Sequence, residues 1–302
     1  MHRDALPLSS FPAEALNRLR RTRGFVFDMD GTLVLGDQRN HGLQPLPGAL
    51  EITKWLGECG TPFTLFTNGT TRTPQHYAET LRRLGFPVAD DAVMTPASSA
   101  VDLFVRRGFK RVLVLGGDGI ATPLREAGIE VVAPVGKPEA DAVLIGWFRE
   151  FTMDALEAAS HAVWGGAQVF SSSQVLFFAT ADGKALGTSR AISAMIRDVT
   201  GCRINIIGKP SLAALSSAGR RLGVPLKDLA VVGDDPDLEV PMAHRGRSLA
   251  IAVNSGLGAD DAFAHLPEKR WPHLTVRGVD ELLRLLRDPE MPTTRNKVKG
   301  FA

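Results

Sequence analysis

Asp28 and Asp30, in Asp28-Met29-Asp30-Gly31-Thr32-Leu33-Val34, follow directly on the apolar run Gly24-Phe25-Val26-Phe27, which reads as a buried strand. Carboxylates at the carboxyl end of a strand stand where an open parallel α/β sheet binds its ligands. An extended strand would keep the two side chains on one side, but the turn that Gly31-Thr32 permits lets them diverge into separate roles. One can attack while the other moves a proton. Asp-x-Asp alone also describes an ordinary acidic surface turn, so the company it keeps decides between the readings.

Three further strand ends carry complementary groups. Thr67 closes Pro62-Phe63-Thr64-Leu65-Phe66, and with Asn68 and Gly69 it offers a hydroxyl and turn amides to anionic oxygens. Lys209, in Ile206-Ile207-Gly208-Lys209-Pro210-Ser211, supplies a point charge just before a predicted helix whose amino end also favours an anion. Asp234 ends Leu229-Ala230-Val231-Val232-Gly233, with Asp235 and Glu239 close behind. Such a group of carboxylates suits a hard divalent cation, above all Mg²⁺. Each motif has a bland reading as a turn, a solvated lysine or an acidic helix start; their joint order is that of a phosphoryl-transfer site.

These four motifs, Asp28-Met29-Asp30-Gly31-Thr32, Thr67-Asn68, Gly208-Lys209-Pro210 and Val232-Gly233-Asp234-Asp235, resemble those of the haloacid dehalogenase-like (HAD) phosphatases. The long insert between Thr67 and Lys209 points to the subfamily IIA branch, which holds nitrophenyl, phosphoglycolate and pyridoxal-phosphate phosphatases. The resemblance runs from about Gly24 to Leu286 and implies a phosphatase acting on a small phosphate monoester. It makes Asp28 the nucleophile that becomes an aspartyl phosphate and Asp30 the general acid–base. Thr67, Asn68, Gly69 and Lys209 would hold the phosphoryl group, and Asp28, the Asp30 carbonyl and Asp234 the Mg²⁺, supported by either Asp235 or Glu239. Two departures stand out: Glu239 occupies a position that is commonly Asp, and Leu186-Gly187-Thr188-Ser189 replaces a Pro-Gly-Thr-Gly turn. Substrate identity therefore does not carry over.

Short β-rich runs alternate with helical patterns, the mark of a doubly wound α/β fold with a parallel sheet. The expected architecture is a Rossmann-like core in two parts, residues 1–98 and 204–302, interrupted by an α/β cap domain at 99–203. Core strands are predicted before Asp28 and Thr67 and at Ile204–Ile207, Leu229–Val232 and Leu249–Val253. Cap strands are predicted near Arg111–Leu115, Ala142–Ile145 and Val169–Ser171, and cap helices near Met153–Val163 and Thr188–Val199. The glycine-rich Val114-Leu115-Gly116-Gly117-Asp118-Gly119 lacks the third glycine of a dinucleotide fingerprint and reads as a tight turn. Within the cap, the polar loop Thr180–Thr188 is the expected determinant of substrate choice, with Asp182 and Lys184 reading the leaving group.

At 302 residues and 44% hydrophobic content the chain can bury a substantial core. A net charge of +2 provides no basic stripe for nucleic acid, and the final Arg295-Asn296-Lys297-Val298-Lys299 reads as a frayed terminus. No segment has the roughly 18 consecutive apolar residues of a membrane helix. Two cysteines, Cys59 and Cys202, suggest neither a disulfide framework nor a zinc site. A cytoplasmic enzyme acting on a small phosphorylated metabolite or nucleotide is expected, with a homodimer left open. A dehalogenase has no use for Asp30 as an acid or for the carboxylates at Asp234, and a mere phosphate-binding module would not need both nucleophile and acid. A phosphomutase or other phosphotransferase shares the whole inventory.

Overall fold

The computed structural model describes residues 8–36, 43–180, 183–255 and 267–288. Two parallel sheets dominate it. The first has six strands in the order Leu274–Val276, Leu249–Val253, Leu229–Gly233, Gly24–Asp28, Phe63–Phe66, Val93–Met94. Gly24–Asp28 is its first strand in the chain and is central in space. The chain goes first to one side of it and later returns to the other, where Val232 pairs in register with Phe27. That reversal leaves a crevice outside the carboxyl ends of Gly24–Asp28 and Leu229–Gly233, where open α/β sheets place their ligands.

Alternation within the central strand explains why it is buried on both faces. Phe25 and Phe27 point into one core layer, with Ile52, Leu56 and Leu282, while Val26 points into the other, with Leu215, Ala218 and Val240. Phe27 is fully buried, and its truncation to Ala should cost about 3–5 kcal/mol. Local signals set the helices that cover these faces. Thr73 caps Pro74–Arg83 by accepting the His76 N–H at 3.2 Å, with proline at the first helical position. Ser211 caps Leu212–Leu222 through the Ala214 N–H at 3.1 Å.

The second sheet has five parallel strands, ordered Ile204–Ile206, Gln168–Ser171, Ala142–Ile145, Arg111–Leu115, Glu130–Val132. It too is filled on both sides: Val112 and Val114 pack with Phe104 and Leu124, Leu113 and Leu115 with Leu156 and Ile192. One expectation is corrected here. Ile204–Ile206, expected among the core strands, pairs with Val169–Ser171 as an edge of this second sheet. Three apolar residues between Arg203 and Gly208 state that a strand exists but not which sheet accepts it. The glycine-rich stretch after Leu115 is also more than a turn, since Gly117 opens the helix Asp118–Glu126. Gly119 there packs so closely on the chain after Asn68 that a β-carbon would collide with the Thr70 carbonyl.

Both sheets direct their carboxyl ends at one another. The Trp147 N–H, just past Ala142–Ile145, donates to the Thr70 hydroxyl at 2.8 Å, joining the insert to the loop that follows Phe63–Phe66. An antiparallel hairpin of Phe177–Thr180 and Gly183–Leu186 extends from the second sheet's end. Among the described residues no helix is long and apolar enough to cross a membrane.

Candidate active site

Asp28 is the last residue of the central strand and is 7% exposed. Its Oδ1 accepts a hydrogen bond from Lys209 Nζ, and its Oδ2 accepts one from the Thr32 hydroxyl at 3.3 Å. Both oxygens are thus oriented by hydrogen-bond donors. Lys209 arrives from the far side of the insert and is itself buried, with Glu239 Oε1 2.7 Å from its ammonium. Burial alone would depress the ammonium's pKa, but Asp28 and then Glu239 outweigh it and hold the pKa above the ordinary lysine value. The Lys209 backbone is clamped as well: its N–H donates to Asn68 Oδ1 at 2.8 Å, and its carbonyl accepts from Asn68 Nδ2 at 3.0 Å.

Asp30 stands past the strand, and the Thr67 hydroxyl donates to its Oδ2 at 3.3 Å while accepting the Gly69 N–H at 3.0 Å. Although the residue as a whole is exposed, partial desolvation of its carboxyl, reinforced by the charge of Asp28, pushes Asp30 up to about 6, against the pull of Lys209 and the Thr67 hydrogen bond. Asp28 and Asp30, two residues apart, thus have different partners: Lys209 and Thr32 for the first, Thr67 for the second. Directly after Asp30 the chain turns at Gly31 with φ +86°, and a β-carbon at that glycine would collide with the Asp234 carboxylate. Asp234, 4% exposed, is held against this turn from the neighbouring strand.

Residues 25–130 match the family described as haloacid dehalogenase-like hydrolase, and residues 206–282 match the HAD-hydrolase-like family. The chain belongs to the haloacid dehalogenase-like hydrolases. An acid sugar phosphatase of Staphylococcus aureus is 27% identical over 223 residues, 74% of this chain and 82% of that relative. A 5′-nucleotidase of Bacillus subtilis is 25% identical over 258 residues, 85% of this chain and 92% of its own length. Among solved structures, the 4-nitrophenylphosphatase of Thermotoga maritima superposes with a TM-score of 0.77 at 26% identity, covering 88% of this chain and 98% of that one. These likenesses are those of the subfamily IIA branch.

In this haloacid dehalogenase-like hydrolase the residues named from sequence fall into three groups. Asp28, Asp30, Thr67, Asn68, Gly69, Lys209 and Asp234 come together as described. Asp235 and Glu239 adjoin them with other occupations: the Glu239 Oε2 accepts the Asp235 N–H at 3.2 Å, and Asp235 Oδ1 accepts the Asp237 N–H at 2.7 Å. Glu239 is 1% exposed and serves as the second counter-ion of Lys209; burial pushes its carboxyl up, opposed by Lys209 and reinforced by Asp28. Gly233 makes room for it, since a β-carbon there would strike the Glu239 side chain. Asp182 lies outside the described residues, and Lys184 belongs to the strand Gly183–Leu186.

Among the described residues no three Asp, Glu, His or Cys side chains cluster as a ready-made metal site. Asp234 packs against the Gly31 turn that follows Asp28 and Asp30, and the expected donor set is the Asp28 and Asp234 carboxylates with the Asp30 carbonyl. Such a set fits Mg²⁺, which takes one or two carboxylates and fills its remaining positions with water and substrate phosphate oxygens. Missing from the sequence reading were Thr32, Tyr77 and Ser255. Thr32 belongs to the first motif and could have been found there. Tyr77 is close enough to Gly69 that a β-carbon would meet its hydroxyl, and the Ser255 hydroxyl donates to the Gly31 carbonyl at 2.7 Å. Neither carries a local signal: Tyr77 turns back from the helix Pro74–Arg83 that follows the loop, and Ser255 reaches Gly31 from a distant segment.

Proposed function

We propose that the chain is a Mg²⁺-dependent phosphatase that hydrolyses a small phosphate monoester through an aspartyl phosphate on Asp28. The observation that carries this reading is the pairing of an Asp28 carboxylate held by Lys209 with an Asp30 carboxyl raised to about 6. The hydrolase family, and relatives named as phosphatases and a nucleotidase, support phosphoric monoester hydrolysis.

An Asp28 oxygen attacks phosphorus in line with the leaving alkoxide, while Lys209, the Thr67 hydroxyl and the turn amides at Asn68 and Gly69 bind the non-bridging oxygens. Attack of an anion on an anion is opposed electrostatically. Asp28, Asp234 and the Asp30 carbonyl would hold Mg²⁺, which would supply the charge neutralisation that relieves this. Protonated Asp30 gives its proton to the departing oxygen. Left ionised, it takes a proton from the water that attacks the phosphoenzyme, regenerating Asp28 and its own acid form. Glu239 fixes the ammonium of Lys209. The insert, residues 99–203 with the edge strand Ile204–Ile206, acts as a cap that meets the leaving group and screens out folded protein substrates. A small phosphorylated metabolite or nucleotide is the substrate class, and the cytoplasm the location.

The test is release of inorganic phosphate from 4-nitrophenyl phosphate and a panel of phosphomonoesters, with no acceptor present. Release that a chelator abolishes and Mg²⁺ restores is the expected result. Transfer only when an acceptor is added would make the chain a phosphotransferase, and metal-independent release would overturn the Mg²⁺ assignment.

A further inference from the structure

A second cluster of charge lies at the opposite edge of the six-stranded sheet, before its strands begin. Glu14, Arg18, His244, Arg247 and His273 line an open cavity of about 410 Å³ there. Arg247 and His273 just precede Leu249–Val253 and Leu274–Val276, so a strand length of about 3.3 Å per residue separates them from the catalytic crevice. Two guanidinium groups and two imidazoles face a single carboxylate.

Arg18, His244 and His273 are each held by one hydrogen bond. Arg18 donates to the Arg247 carbonyl at 3.1 Å through one nitrogen. The His273 Nδ1 accepts the Ala250 N–H at 2.9 Å, which places the proton of the neutral ring on Nε2. The His244 Nε2 is 2.8 Å from the Trp271 carbonyl and donates to it, and the His244 and His273 rings stand 4.8 Å apart. The Arg247 guanidinium has no partner among the described residues.

Arg247 also closes the helix Glu239–Gly246 in the left-handed conformation, with φ +57°. Glycine fills such a helix end without steric cost, whereas a residue with a β-carbon is strained there. A strained arginine beside a second arginine and two histidines is unfavourable for the fold alone. An anionic ligand would offset both the strain and the repulsion. Burial, then Arg18 and His244, push His273 down to about 4, so its ring meets an anion as a neutral Nε2–H donor.

We propose that this cavity binds a tetrahedral phosphate dianion, either inorganic phosphate or the phosphoryl end of an organic phosphate, separately from the catalytic crevice. Calorimetric titration of the intact protein with inorganic phosphate, in the presence of a chelator that disables the metal-dependent site, tests it. The wild type should bind one phosphate, and Arg247→Gly and Arg18→Gln should each weaken binding about tenfold, the loss expected for a charge-assisted hydrogen bond. Arg247→Gly removes the strained β-carbon, so the variant should melt no lower than the wild type and keep its basal turnover of 4-nitrophenyl phosphate. Phenylphosphonate, titrated in parallel, distinguishes the sources: equal affinity identifies inorganic phosphate as the ligand, tighter binding an organic phosphate. Absence of binding with the chelator present, or an affinity unchanged in both variants, would overturn the proposal.

Discussion

Across the cleft, the carboxyl edges of the two sheets are made of different materials. On the core side Asp28, Lys209 and Glu239 form a buried chain of alternating charge, flanked by Asp30 and Asp234. On the insert's side the same edge carries chiefly neutral groups, with the Arg190 guanidinium donating to the Gln174 carbonyl at 3.1 Å. The Ser172 and Ser189 hydroxyls lie 3.1 Å apart, Gln174 Nε2 donates to Ser171 Oγ at 2.9 Å, and the Phe148 N–H donates to Thr188 Oγ1 at 3.2 Å. The two edges touch where Gly208 lets the Ser172 carbonyl approach the residue before Lys209. Transfer of a dianion requires fixed charges that neutralise one another out of water, and those cannot be varied without loss of the chemistry. Neutral hydrogen-bonding groups can be exchanged at modest cost, which suits the discrimination between leaving groups proposed for that side.

Asp28→Asn should break the charged side most completely. With the nucleophile gone at nearly constant shape, turnover should fall by on the order of 10⁴-fold or more, with phosphoenzyme formation lost alongside. Steady-state assays and acid-quench mass analysis check this together.

Asp30→Asn should follow, with a loss of about 10²–10⁴-fold that is largest for alkyl phosphates and smallest for nitrophenyl phosphate, whose leaving group needs no proton. The pH dependence has a defined sign. Asp30 must be protonated in the first step, and its pKa lies near 6, so alkyl phosphate turnover should decline as pH rises above that value. Aryl phosphate turnover should decline less. Identical profiles for both would remove Asp30 from the acid role.

Glu239→Gln sharpens the comparison in another way, because it removes one of two counter-ions from a buried ammonium. Denaturant unfolding should register a loss of about 3 kcal/mol, the scale for breaking a buried ion pair. Ser189→Ala, on the neutral side, should cost only about 1 kcal/mol, and should alter the ranking of natural substrates a few-fold while sparing nitrophenyl phosphate. If Ser189→Ala were as damaging as Glu239→Gln, the division into a fixed and an adjustable edge would fail.

The charged edge was the legible one. Asp28, Thr67, Lys209 and Asp234 each follow a short apolar run, and strand periodicity with a glycine or threonine exit marks where a side chain must emerge. The choice between Asp235 and Glu239 was not legible, since sequence distance does not state how the first turn of the helix Glu239–Gly246 is aimed. The structure gives Glu239 to Lys209, a contact between segments thirty residues apart. Within the insert, the strands Arg111–Leu115, Ala142–Ile145 and Gln168–Ser171 and the helices Met153–Trp164 and Thr188–Thr200 were readable from their patterns, whereas Glu130–Val132 and Pro96–Arg107 were not named. Asp118–Glu126 was hidden by its own Gly119 and Pro123, residues that normally interrupt helices. Tyr77 and Ser255 reach the catalytic turns only through tertiary packing, which no local pattern encodes.

Attack by Asp28 on phosphorus is the claim on which the rest depends. Rapid acid quench of the enzyme with Mg²⁺ and a phosphomonoester, followed by peptide mass mapping, tests it most directly. A phosphoryl group should appear on the peptide bearing Asp28 during turnover and be absent from Asp28→Asn. Full turnover with Asp28 unmodified, or phosphate release retained by Asp28→Asn, would contradict it.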